Sequence, residues 1–316
     1  MKPKTASHAT TPVGTALSRA VRAQARELSV RVPEALAGDA TAVHRGRVAS
    51  RRLREALAVL ADVSDAKKAR KDVRKITRAL GPVRELDVAL ATFDDEAARA
   101  GFDRDAVAEV RRFIERERLR RAAVLQGARM PALDALAARA DAIAAAAGEP
   151  ENRGSEMRIM RKRLQRRAAR LVTAIDACSS LYAPERMHAV RIAVKKLRYA
   201  AELAQASRLW PLAGAVRSLK RVQEDLGTLH DLQILVGCVD GAAARRRRSG
   251  LARGLRAVID TLERDCRTKH AVLLPQLATL ADVARGIDRQ IHAVPPARPR
   301  MIRVRGLTPA PRRRVV

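Results

Sequence analysis

The chain has 316 residues, 64 lysines and arginines against 34 aspartates and glutamates, and a formal charge of +30, so a polyanion is its expected partner. Hydrophobic residues make up 47% of it, enough for a real core, which argues against a disordered polycation. Aromatics are only 2% and the apolar share leans on alanine, leucine and valine, a balance that favours helices over sheets.

In chain order, residues 1–12, rich in Thr, Pro and Lys, are expected to be disordered. A first helix follows, carrying Arg19, Arg22 and Arg26 on one face, with Pro33 as its expected end. The next helix contains His44-Arg45-Gly46-Arg47-Val48-Ala49-Ser50-Arg51-Arg52-Leu53-Arg54. At 100° per residue, His44, Arg47, Arg51 and Arg54 fall within about 80° of one face, and Leu53, Leu57 and Leu60 lie nearly opposite. One side can therefore enter a core while the other presents charge. Gly46 weakens this helix by about 1 kcal/mol relative to alanine. Arg74-Lys75 lead to Leu80-Gly81-Pro82, then Arg84-Glu85-Leu86-Asp87-Val88, with further breaks expected at Gly101 and Pro131.

The segment 148–154, with two glycines and Pro150, reads as a linker between halves at 13–147 and 155–285. Beyond it the first half returns. Arg163, Arg166 and Arg170 repeat Arg19, Arg22 and Arg26 at 144 residues' distance. At the same offset His188-Ala189-Val190-Arg191-Ile192-Ala193-Val194-Lys195-Lys196-Leu197-Arg198 repeats the histidine-led motif. Lys220-Arg221, Leu226-Gly227 and His230-Asp231-Leu232 then repeat Arg74-Lys75, Leu80-Gly81 and Arg84 to Leu86 at 146 residues' distance. Breaks are expected at Pro184, Pro211, Gly227 and Gly250, with Gly81 and Gly227 read as helix C-caps. The run Arg245-Arg246-Arg247-Arg248 reads as a solvated loop, and residues 293–316, rich in arginine and proline, as a disordered tail.

The doubled pattern H-x-x-R-[VI]-A-x-[RK]-[RK]-L-R, followed in each half by a helix ending in Leu-Gly and then by Arg84-x-x-Asp87 or His230-Asp231, resembles the CHAD family, the conserved histidine α-helical domain. Lys195-Lys196-Leu197-Arg198-Tyr199 with Glu202 is similar to its second half. The resemblance covers roughly residues 13–285. It implies an all-α fold of two tandem antiparallel helical bundles, related by pseudo-twofold symmetry around a basic central cavity that binds inorganic polyphosphate, and association with polyphosphate granules. Some members add a triphosphate-tunnel domain marked by E-x-E-x-K. The nearest match here, Glu115-Arg116-Glu117-Arg118-Leu119, lacks the lysine and sits in a helical pattern.

The residues suit that ligand. Polyphosphate is a dense run of charge without bases, which arginine meets with a planar fork of donors and lysine with a mobile point charge. Scarce aromatics tell against single-stranded nucleic acid, whose bases stack on such rings. The expected polyphosphate-binding residues are His44, Arg47, Arg51, Arg52, Arg54, Arg74, His188, Arg191, Lys195, Lys196, Arg198, Lys220, Arg19, Arg22, Arg26, Arg163, Arg166 and Arg170. His44 and His188 either donate to phosphate, more strongly once protonated, or orient a neighbouring arginine. Asp87 and Asp231 are read as partners that hold Arg84, Lys195 or similar residues in place.

No catalytic residue, cofactor or metal is expected. Glu185-x-x-His188 has the spacing used in di-iron bundles, but Thr41 stands at the corresponding place in the first half. No Walker loop or Ser/His/Asp arrangement is present. Cys178, Cys238 and Cys266 contain no C-x-x-C pair and read as small hydrophobes in a reducing cytosol. With no hydrophobic run of signal-peptide or membrane-span length, a cytoplasmic location is expected. Two other functions remain open at this point: a histone-like nucleic-acid binder using the tail, and a polyphosphate-metabolising enzyme or accessory factor.

Overall fold

The computed structural model describes residues 12–149, 151–245 and 251–293. The segments expected to be disordered, and Arg246 to Arg248 of the arginine run, lie outside these residues apart from Pro12 and Ala293. Among the described residues the regular structure is wholly helical. The ten helices are α1 Pro12–Leu36, α2 Ala40–Val59, α3 Ala66–Ala79, α4 Gly81–Ala100, α5 Arg104–Gln126, α6 Leu133–Ala146, α7 Arg153–Asp176, α8 Pro184–Ala206, α9 Ala213–Arg245 and α10 Ala252–Ala293.

Local chemistry sets where the key helices start. The Asp39 carboxylate accepts hydrogen bonds from the N–H groups of Thr41 (2.7 Å) and Ala42 (3.0 Å), capping α2. Pro184 stands in the first turn of α8, where a missing N–H costs nothing. α3 buries Ala66, Ala69, Val73 and Ile76 at helical spacing and leaves Lys67, Arg70, Lys71 and Arg74 exposed.

α1, α2, α3 and α6 pack together, as do α7, α8, α9 and α10. α4 and α5 form a hairpin that leaves the first group and lies on α9. The halves also meet where α2 packs on α8, and one hydrophobic cluster runs from Val13 to Ile291. Leu53, Leu57 and Leu60, the expected back of α2, are at most 1% exposed.

Several expected breaks are absent. α1 runs through Pro33 to Leu36, and α9 runs straight through Gly227. The aligned site in the first half does break, between Ala79 and Gly81, because Pro82 follows; it lacks the N–H that would continue the ladder, whereas Thr228 keeps it. Likewise α10 runs straight through the counterpart of the break between α5 and α6, and through Pro275 as well. There Leu273 and Leu277 stand where the first half has Gly127, which ends α5, and Pro131. α9 thus spans the counterpart of α3 plus α4, and α10 that of α5 plus α6.

Neither Gly81 nor Gly227 has the positive φ of a C-cap; among the described glycines Gly38, Gly101 and Gly148 do, and Gly101 caps α4. Gly46 earns its place in α2 by contact, since a Cβ there would lie 3.1 Å from Leu80 Cδ1. The 148–154 linker is shortened by α7, which starts at Arg153, and α10 continues past 285 to Ala293.

Candidate functional site

α2 and α8, the two motif helices, place their basic faces along a channel between the halves. At the N-terminal ends of both lies a cavity of about 280 Å³, lined by His44, Arg47 and Arg51 of α2, Arg84 and Glu85 of α4, His188, Arg191 and Lys195 of α8, and His230 and Asp231 of α9. It adjoins a second cavity of about 510 Å³ through shared Arg51, Ile192 and Lys195. The second is lined by Arg54 and Glu55 of α2, Lys67, Arg70, Lys71 and Arg74 of α3, Arg163 and Arg167 of α7, and Lys196 and Tyr199 of α8. His44, His188 and Glu85 are exposed at one mouth, and Lys71, Arg74 and Lys196 at the other; Arg51 and Lys195 occupy the half-buried throat between them.

The throat concentrates positive charge away from water. Burial, then Arg191, Arg51 and Arg47, push the Lys195 ammonium down to about 7, with Asp231 partly opposing them. Arg47 is lowered to about 10, first by burial and then by Arg51. Burial and neighbouring cations also lower His44 and His188, and bring His230 down to about 4. In the ligand-free channel these histidines are therefore neutral at physiological pH. Asp231 is raised by burial, against the pull of Arg191, Lys195 and Arg84. Arg47 Nη1, Arg54 Nε, Arg191 Nε and His230 Nδ1 are buried and find no hydrogen-bond partner among the described residues.

The sequence profile of the CHAD domain matches residues 19–240. The chain belongs to the CHAD domain family. No curated protein matches it significantly. Among solved structures, the crystal structure of the CHAD domain from the plant Ricinus communis is similar over 93% of this chain and 96% of that one, with 22% identity and a TM-score of 0.58. PptA from Streptomyces chartreusis is similar over 90% of this chain and 100% of its own, with 17% identity and a TM-score of 0.55. At these identities the likeness is one of fold. Among the described residues, no helix of this CHAD chain is long and apolar enough to cross a membrane, and no group of three or more His, Cys, Asp and Glu side chains is placed to hold a metal ion.

The channel gathers His44, Arg47, Arg51, Arg54, Arg74, His188, Arg191, Lys195, Lys196 and Arg163 of the expected site. Arg170 lines a neighbouring groove with His188 and Lys196. The remaining expected residues stand elsewhere. Arg19, Arg22 and Arg26 line a groove between α1 and α6, where Arg22 pairs with Asp141 at 3.5 Å. Arg52 faces α8 from the far side and pairs with Glu202 at 3.6 Å. Arg166 is exposed, and Lys220 pairs with Glu224 on the surface of α9.

Arg198 is turned away from the channel altogether. It is 9% exposed, donates to Glu202 and to Gln223 (2.7 Å), and stacks on Tyr199. Its counterpart Arg54 escapes this because Ala58 and Thr77 stand where the second half has Glu202 and Gln223. Of the two acids, Asp87 pairs with Arg118 at 2.6 Å rather than with Arg84, whereas Asp231 does face Arg191, Lys195 and Arg84. Arg245 of the arginine run belongs to α9 and stacks on Phe113.

Sequence reasoning missed Arg84, His230 and Asp231 as site residues, although their motif was in view. It also missed Lys67, Arg70 and Lys71, whose i, i+3, i+4 spacing with Arg74 marks one face of α3. Arg167 and Glu55 were passed over too. Glu55 is 7% exposed and accepts from Arg163 (3.1 Å) and Arg167 (2.5 Å), tying α7 to α2 across the halves.

Proposed function

We propose that this CHAD chain binds inorganic polyphosphate along the channel, performs no catalysis of its own, and associates through that ligand with polyphosphate granules in the cytoplasm. The observation that carries the reading is the set of buried arginine donors, on Arg47, Arg54 and Arg191, left without partners among the described residues in a channel whose throat already crowds Lys195 among guanidinium groups. Buried polar groups are ordinarily satisfied, and a chain of phosphate oxygens satisfies many arginines at once. The second cavity sets ten basic side chains against one acid, Glu55, which Arg163 and Arg167 already occupy. The two adjoining cavities, of about 280 and 510 Å³, give room for a phosphate chain but not for a nucleic-acid duplex, whose major groove alone is roughly 12 Å wide.

The test is a titration of long-chain polyphosphate and duplex DNA at physiological salt. Arg51→Glu with Lys195→Glu is expected to weaken polyphosphate binding at least a hundredfold and leave DNA binding nearly unchanged; Arg246→Glu with Arg247→Glu is expected to do the reverse. Equal losses of both ligands in both variants would make the protein a nonspecific polyanion binder. Phosphate release above background with Mg²⁺ or Mn²⁺ would overturn the non-catalytic part.

A further inference from the structure

The two mouths of the channel differ in chemistry. One is almost purely cationic, with Lys67, Arg70, Lys71 and Arg74 of α3 facing Arg163 and Arg167 of α7. The other brings three histidines together with two carboxylates, Glu85 and Asp231. The His188 and His230 rings lie 5.1 Å apart, and Glu85 reaches Arg47 at 3.9 Å. Carboxylates in the lining repel every phosphate that passes, a cost to a site for charge density that is only partly offset where they hold a cation, as Glu85 holds Arg47.

We infer that the histidine mouth, formed by His44, His188 and His230 with Glu85 and Asp231, receives the terminal phosphate of a polyphosphate chain, while the cationic mouth holds its interior. This assignment rests on the polyphosphate reading above and adds a direction to it. Interior phosphates have lost their only acidic proton at neutral pH and offer acceptors alone. A terminal phosphate has a second ionisation, near 6 in phosphate monoesters, so at neutral pH it is largely dianionic yet basic enough to share one proton with a neighbouring acid, which no interior phosphate is. A carboxyl group whose proton burial favours, as Asp231's is, can share that proton with the terminal phosphate and with no other part of the chain. A neutral imidazole also suits it, donating through one nitrogen and accepting through the other. Burial favours a proton on Asp231, and the cationic neighbours favour neutral histidines, so the mouth is prepared to share a proton with the ligand. Arg84, Arg191 and Arg47 remain beside it for the unprotonated oxygens.

The decisive probe is short linear polyphosphate, with its ends free or with both ends blocked as phosphoramidates of a small secondary amine, which leave neither N–H nor a second ionisation at the end, titrated against the full chain at pH 7. Wild type is expected to bind free-ended chains at least tenfold more tightly. Asp231→Asn is expected to shrink that ratio below about threefold, whereas Arg70→Gln weakens both ligands alike and keeps the ratio. Equal binding of free and blocked chains by wild type overturns the terminal-phosphate assignment while leaving polyphosphate binding intact. A ratio that persists in Asp231→Asn, measured on protein shown folded by circular dichroism, overturns the placement at this mouth. Binding of neither ligand fails the polyphosphate reading itself.

Discussion

At the scale of single residues, Gly81 and Lys195 show how position and chemistry separate. Gly81 looks like a helix cap in the sequence, but its use is space: a Cβ there would lie 2.8 Å from Arg47 Nη1. The clash is with the end of a flexible side chain, so Gly81→Ala is expected to leave stability unchanged or raise it by up to about 1 kcal/mol through helix propensity. Polyphosphate affinity should fall roughly threefold to tenfold as Arg47 is displaced. Gly227→Ala, with open space around it, serves as the control. Thermal melts paired with binding titrations check both, and unchanged affinity in Gly81→Ala would remove Arg47 from the contact set. Lys195 supplies a pH signature. Its folded value of about 7 is depressed below the ordinary 10.5, so between those values the unfolded chain holds more protons and the ligand-free protein gains stability as pH rises. Bound phosphate restores the ammonium, so binding takes up a proton above pH 7 and affinity falls with rising pH, by at most tenfold per unit. Calorimetric titration at pH 8 in buffers of different ionisation enthalpy should show that uptake, and Lys195→Arg should abolish it. Both lysine and glycine were visible as members of the repeat; neither role was, because each depends on which side chains a distant helix brings near.

At the scale of elements, α3 is the helix that sequence comparison undervalued. Its face of Lys67, Arg70, Lys71 and Arg74 has no full counterpart in the second half, so a search for repeated residues found only Arg74. α1 is the opposite case: Arg19, Arg22 and Arg26 are repeated yet line a groove away from the channel. Replacing the four basic residues of α3 by glutamine is expected to weaken polyphosphate binding at least tenfold, with helix content retained because Ala66, Ala69, Val73 and Ile76 still anchor the helix. The same change at Arg19, Arg22 and Arg26 should cost less than threefold. Circular dichroism and a titration of each variant decide it; a larger loss from α1 would move the binding face to the outside of the bundle.

For the whole molecule, the hairpin of α4 and α5 determines how independent the halves are. Because it lies on α9, the first half carries part of the second half's core. Phe93 of α4 is fully buried and Phe113 of α5 is 9% exposed, beside Gly241 and Arg245 of α9. The chain is expected to unfold in one calorimetric transition, with calorimetric and van't Hoff enthalpies equal. Residues 13–147 alone are expected to bind a hydrophobic dye and aggregate. Two resolved transitions, or a soluble and cooperatively folded first half, would show that the linker joins true domains.

Helix content, the duplication and the central stripe of His44, Arg47, Arg51, His188, Arg191 and Lys195 were determined by the sequence itself, because periodicity and repetition are properties of neighbours along the chain. Only the tertiary structure decided which cations share a cavity. Arg54 and Arg198 occupy the same motif position, yet one lines the channel and the other is held by Glu202 and Gln223. The continuation of α9 through Gly227, the tie from Glu55 to Arg163 and Arg167, and the gathering of His230 and Asp231 with the motif histidines belong to the same class. Each depends on contacts between helices far apart in sequence, which burial of the common core selects and a single helix face does not record.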